Sequence, residues 1–192
     1  TLAEEVFYRA GGLARCVAIL DEKLMVHESA TESTEWERKE GYAAEVLKRY
    51  PISEGDVLVV VSNSGRNAVP IEMASEAAKR GAKVIAITSA QHSGSVTSRH
   101  SSGRKLPDVA GLAIDNGAVV GDASVAIPGL LQKVGPTSTI TSAFILNSIL
   151  VGAVERCVQA GNPPEIYSSI NSAAGDVNDA ILRKYKGVIP HL

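Results

Sequence analysis

The sequence predicts an α/β fold: a doubly wound parallel sheet of about four to five strands, sandwiched between helices like other three-layer, Rossmann-type domains. Three observations predict it. The run Val57, Leu58, Val59, Val60, Val61 is apolar without polar alternation, the pattern of a strand buried on both faces. A second apolar run, Lys83 to Thr88, follows after a helical stretch, Ala68 to Arg80, of the length that joins two parallel strands. A third, Gly111 to Asp115, follows after a long polar connection.

Leu2 to Ala10 reads as a helix stopped by Gly11-Gly12, and Cys16 to Leu20 as a short buried strand. Leu24 to Glu28 fits either a short strand or an extended loop, and the polar Thr31 to Thr34 reads as loop. Trp36 to Tyr50 reads as one helix, ended by Pro51. After the Val57 strand comes Ser62-Asn63-Ser64-Gly65-Arg66-Asn67, then a helix that Asn67 caps and that tolerates Pro70 in its first turn. Met73, Ala74, Ala77 and Ala78 form its slim packing face. Lys79-Arg80-Gly81 ends it with cations and a glycine. The polar stretch Ser89 to Pro107 is long for a connection, and long connections are often functional. Ser124 to Ile127 reads as an edge strand. Ile140 to Val158 is a helix apolar on nearly every side, so it is expected to be buried on more than one face, by the sheet and by a second subunit. Asn171 to Tyr185 reads as a final amphipathic helix.

With 192 residues, 45% hydrophobic and 21% charged, the chain fits a single domain over 1–192 with a sizeable core. A net charge of -2 and a pI of about 6.1 give no global basic field, so neither nucleic acid nor a membrane is an expected partner. Cys16 and Cys157 lie in no metal-binding pattern and read as buried free thiols of a cytoplasmic protein. No HExxH, Walker sequence or cysteine cluster points to a metal. The chain starts at Thr1 and opens straight into a helical pattern, so a further segment upstream is expected.

Ser62 to Asn67 is the stretch with chemistry in it. Short side chains leave backbone N–H groups accessible, and the following helix points its N-terminus at them. Such a corner takes an anion, most often phosphate. Ser62, Ser64 and Asn67 are the side-chain donors, and Asn63 and Gly65 the backbone donors. Arg66 either pairs with the phosphate or faces solvent. His92 and His100 lie beyond the carboxyl end of the Thr88 strand, where ligands of open α/β sheets bind, and either can be a surface histidine or an acid–base group.

Ser62-Asn63-Ser64-Gly65-Arg66-Asn67, between a valine strand and a helix, resembles the Ser-x-Ser-Gly signature of the SIS (sugar isomerase) domain superfamily. Ser64 to Pro70, Gly135 to Thr139 and Phe144 to Asn147 are similar to segments of the N-acetylmuramic acid 6-phosphate etherases within it. Over most of its length the chain resembles an uncharacterised bacterial branch that shares the Arg99 to Gly103 stretch. The resemblance implies a sugar-phosphate ligand, with an amino-sugar phosphate among the alternatives, and a binding set that includes the strand end Thr88-Ser89; the apolar Ile140 to Val158 helix is expected to make the chain a homodimer. The resemblance also implies isomerase or etherase-like lyase chemistry without a cofactor, because the substrate carbonyl stabilises the developing carbanion, or alternatively a non-catalytic sensor. An acid or base is then needed near the sugar. Glu28, Glu37 and Glu40 are candidates, with Glu28 and Glu40 preferred and His100 beside them. Asn67 departs from the superfamily, which usually has a Thr or Ser hydroxyl there; its amide can also donate. A nucleotide-binding domain is a third class, weakened by the lack of GxGxxG.

Overall fold

A computed structural model describes residues 1–171 and 175–192. The chain is α/β, with three parallel strands in the order of the sequence: β1 (Val57–Val61), β2 (Lys83–Thr88) and β3 (Leu112–Asp115). Val57 pairs with Lys83 and Val61 with Ile87, and Ile85 pairs with Leu112 and Thr88 with Asp115. The register brings the carboxyl ends of all three strands to one edge of the sheet, so the loops leaving them converge there.

Numbered in chain order, the helices begin with α1 (Leu2–Val6), α2 (Ala30–Arg38), α3 (Tyr42–Leu47) and α4 (Ala68–Lys79). Next come α5 (Ala90–Gly94) and α6 (Leu106–Val109). Helix α4 carries the crossover from β1 to β2 and packs on both, while α6 packs on β2 and on α4. The buried face of α4 is Ala68 to Ile71 with Ala74 and Ala77, whereas the expected Ala78 is exposed. Small side chains at Ala74 and Ala77 let the helix axis lie close to the sheet, and the bulkier Ile71 fills the space nearer the loop.

The chain divides into two compact units, Asp21–Ser142 and Thr1–Leu20 with Ala143–Leu192. The sheet lies in the first. A second pair of strands in that unit, β4 (Ala123–Val125) and β5 (Val134–Pro136), forms a separate antiparallel ribbon. In the other unit, Ala14, Tyr167, Ile181, Tyr185 and Ile189 form a small core, with Phe7, Leu182 and Leu192 against it. Helix α8 (Gly175–Tyr185) supplies part of it; residues 172–174 of the expected final helix lie outside the described residues.

Several expectations need correction. The parallel sheet has three strands among the described residues, not four to five. Cys16 to Leu20 forms no strand, because strands exist through ladder partners, and the Cys16 N–H instead closes a turn on Leu13. Strand β1 is not fully buried: Val57 is 59% exposed. The single helix expected over Trp36 to Tyr50 is two, α2 and α3, broken where Gly41 adopts φ +82. Thr31 to Thr34 lies inside α2, not in a loop. Helix α7 (Ser138–Gln159) has the expected length, but Ile140, Phe144 and Val151 are 72%, 74% and 69% exposed in the single chain. Cys157 is likewise exposed rather than buried, while both cysteines are free.

Leu106 is fully buried where α6 meets the loop after β1. Leu106→Ala should destabilise the protein by about 2–5 kcal/mol, from lost transfer energy plus a residual cavity. Urea unfolding measures this, and a loss below about 1 kcal/mol would contradict the packing described.

Candidate functional site

The loop from Ser62 to Asn67 leaves β1 at the carboxyl edge of the sheet and enters α4. The Ser62 N–H donates to the Ile87 carbonyl (3.1 Å), so the β1–β2 ladder runs one residue beyond the strand. The Asn63 carbonyl then accepts from the Ser89 N–H and from the Thr88 hydroxyl, each at 3.0 Å. Gly65 has φ +61, and an added Cβ would meet Leu106 Cβ and Pro107 Cδ at 3.2 Å. Glycine is needed there both for the backbone conformation and for the close approach of α6. The Gly65 carbonyl accepts from Leu106 N–H (2.8 Å), and the Arg66 carbonyl from Arg99 N–H (2.8 Å).

These bonds use the carbonyls of Asn63, Gly65 and Arg66 and leave the donors from Ser64 onward open. Among the described residues, the N–H groups of Ser64, Gly65, Arg66 and Asn67 have no protein acceptor, nor do the hydroxyls of Ser62 and Ser64. Helix α4 has 12 residues, and its N-cap, Asn67, makes no side-chain cap bond. Free donors and the positive end of a helix dipole therefore share one corner. Arg66 adds a cation, with a buried Nε that has no hydrogen-bond partner.

Asn63 is held from its side chain as well. Its Oδ1 accepts from Asn116 Nδ2 (3.2 Å), which also donates to Ser142 Oγ (3.1 Å), and its Nδ2 lies 3.3 Å from His92 Nδ1. Asn116 and Ser142 are buried, so this network fixes the loop from beneath. Thr88 and Ser89, expected among the binding residues, sit directly under the loop and are buried. Both hydroxyls donate to backbone carbonyls, Thr88 to Asn63 and Ser89 to Ala118. Their place is that of supports.

The polar stretch between α5 and α6 returns to the loop and brings His100 with it. Glu40 accepts from the Ser101 N–H (2.6 Å) and hydroxyl (2.7 Å). These two bonds hold the exposed Glu40 carboxyl below the usual carboxylate range. His100 Nε2 lies 3.5 Å from Glu72 Oε1, and its Nδ1 is 2.7 Å from Ser102 Oγ. Glu72 in turn accepts from the Gly41 N–H at 2.7 and 2.9 Å. Glu40, Glu72 and His100 thus offer ligand or proton-transfer atoms within 4.8 Å of one another. Two carboxylates beside an imidazole can exchange a proton with a bound substrate, and they are also chemically able to hold a divalent cation.

Of the expected acid–base groups, Glu40 and His100 come together. Glu28 stands apart, exposed and 3.4 Å from His27. Glu37 lines a cleft of about 300 Å³ with Ser62, Thr34, Val60, Val69 and Met73, so a second glutamate faces the edge of the loop. Glu72 and Arg99 are the residues that sequence reasoning passed over as site components. Glu72 lies five residues after Asn67, one turn into α4, and that spacing was the available signal. Arg99 sits in a stretch whose folding back onto the loop depends on bonds between residues far apart in the chain.

The profile of the SIS domain matches residues 1–89. The chain is similar over its whole length to the UPF0309 protein lin2794 of Listeria innocua, at 47% identity over 192 residues, which cover 78% of that protein. It is 45% identical over 185 residues to the UPF0309 protein BH3325 of Halalkalibacterium halodurans, an alignment that covers 96% of this chain and 76% of the other. A UPF0309 protein of Brucella canis is 42% identical over 191 residues, covering 100% of this chain and 78% of its own.

Proposed function

We propose, given that this chain belongs to the UPF0309 family and carries an SIS domain, that it binds a sugar phosphate, with the loop Ser62 to Asn67 holding the phosphate. One observation carries this: the carbonyls of Asn63, Gly65 and Arg66 are bonded within the protein, while among the described residues the N–H groups of Ser64 to Asn67 and the hydroxyls of Ser62 and Ser64 stand unpartnered at the N-terminus of α4. Ser62, Ser64 and Asn67 donate from side chains, Gly65 and Arg66 from the backbone. Asn63, Thr88 and Ser89 hold the loop in shape, and Arg66 adds charge. The similarity of the whole chain to its relatives supports reading residues 1–192 as one functional domain, within which the SIS profile matches 1–89 and the chain forms two compact units.

The sugar then extends from the phosphate toward groups that can move a proton. Glu40 and His100, with Glu72 between them, are our assignment for the acid and base of a cofactor-free isomerase or etherase-like lyase. A second reading, a sensor that binds the phosphosugar without turnover, is favoured by one observation. Both Glu40 oxygens already accept hydrogen bonds from Ser101, and a carboxylate so engaged is a weaker base. An amino-sugar phosphate is the preferred ligand within the class, from the likeness of Ser64 to Pro70 to etherase sequences. We place the protein in the cytoplasm, without nucleic-acid or membrane partners.

Helix α7 supports a homodimer. Phe144, Val151 and Val158 recur every seven residues, with Ile140 and Val154 on the same side, and all but Val154 are exposed. The helix also has the length and composition to cross a membrane. Pairing of two copies along this stripe would cover it without lipid.

Ser64→Ala should weaken sugar-phosphate binding about tenfold by calorimetry, the worth of one hydrogen bond to a charged group. Unchanged affinity would sink the phosphate assignment. With a substrate that the unsubstituted protein turns over, Glu40→Gln should abolish the reaction and retain binding; full activity would exclude Glu40 as the base. Multi-angle light scattering should give twice the chain mass for detergent-free protein, and a monomer would contradict the α7 pairing.

A further inference from the structure

We infer that Arg99 is a positioning residue, one that fixes which end of the Asn67 amide faces the bound anion. The inference rests on the phosphate-loop reading above and goes beyond it to a second residue, on a different segment.

Asn67 is only 7% exposed and stands at the N-cap of α4. Asparagine is a favoured residue there because its Oδ1 accepts from the free N–H groups of the first helical turn. Asn67 makes no such bond. Its Oδ1 instead accepts from Arg99 Nη1 at 3.0 Å. A guanidinium donates and never accepts, so the amide can meet Arg99 through its oxygen alone. The Nδ2 donors are then turned away from Arg99, and the bond to Arg99 is the one side-chain hydrogen bond of Asn67 among the described residues.

Two consequences follow for an anion at this corner. The first-turn N–H groups of α4 stay free, because the side chain that would cap them is held elsewhere. The amide also presents donors and keeps its oxygen, which would repel a phosphate, on the far side. Without Arg99, Asn67 is free to rotate and cap α4 with its own oxygen, which places an internal acceptor where the ligand would bind.

Arg99 is itself well placed for this. Its N–H is bonded to the Arg66 carbonyl, so its backbone is fixed against the loop it serves. Ser98 Oγ ties the start of the same segment to the Arg104 carbonyl at 2.6 Å, and Leu106 N–H ties its end to Gly65. Arg99 forms no ion pair among the described residues, although the Glu37 charge acts on it from farther off, and the Asn67 oxygen is the side-chain partner of its guanidinium. Desolvation and then the neighbouring Arg66 and Arg38 charges lower the guanidinium from its usual value, the Glu37 charge opposes them, and an arginine keeps its proton at neutral pH.

A hydroxyl at position 67 would not need this device, because it both donates and accepts and turns freely. That difference gives the test. Inorganic phosphate and glucose 6-phosphate are titrated by calorimetry into the full chain and into Arg99→Ala, each in the Asn67 protein and in Asn67→Thr, with Asn67→Ser as a second hydroxyl variant. Positioning predicts that Arg99→Ala weakens binding about tenfold beside Asn67 and less than about threefold beside Thr or Ser. An equal loss in both backgrounds would show that Arg99 acts as a charge on the ligand, and overturns the inference. No loss beside Asn67 overturns it as well. If the unsubstituted chain binds neither probe, the phosphate-loop reading falls and this inference with it.

Discussion

Gly65 sits at φ +61 with α6 pressed against the place where a side chain would begin, and the geometry of the whole corner depends on that close approach. It lets the Gly65 carbonyl accept from Leu106 and the neighbouring Arg66 carbonyl from Arg99. With the carbonyls of Asn63, Gly65 and Arg66 bonded within the protein, the N–H groups of Ser64 to Asn67 are left without a protein acceptor among the described residues. The polarity of the site is thus a backbone property, set by one conformation that only glycine adopts cheaply. The serines add donors to an arrangement that is already directed.

The segment between α5 and α6 is the second half of the arrangement. It is anchored at Gly65 and Arg66, and it delivers Arg99 to Asn67 and His100 and Ser101 to Glu72 and Glu40. The groups proposed for binding and for proton transfer are therefore tied to one segment. On the proposed reading, a shift in that segment would move the amide of Asn67 together with Glu40, Glu72 and His100, which would couple ligand grip to chemistry or, in a sensor, to signal.

Much of this was legible in the residues. The unbroken valine run, the crossover helix and the Lys83 strand gave β1, α4 and β2 almost to the residue, because local pattern and tertiary context agree there. Ser62 to Asn67 was legible for the same reason: strand, short polar loop and helix start are consecutive. What failed depended on distant partners. Cys16 to Leu20 has the composition of a strand but no ladder to join, and the break at Gly41 within the expected Trp36 helix is fixed by the Glu72 carboxylate, 31 residues away. Helix α7 read as buried because its composition is apolar, yet composition cannot say whether a neighbour or a second chain covers it. Arg99 read as part of a polar connection; only its bond to Asn67 gives it a place in the site.

If the Ser62 to Asn67 corner holds the phosphate of a sugar phosphate, matched ligand pairs will reveal it. Thermal unfolding of the full chain is followed with hexose 6-phosphates, hexosamine 6-phosphates and the same sugars without phosphate. A ligand at 100 times its dissociation constant stabilises by about 2.7 kcal/mol, enough to move the midpoint by several degrees. The predicted result is a rise with one or more phosphorylated sugars and none with the parent sugars. No rise with any phosphosugar, or an equal rise with the unphosphorylated partners, would contradict it.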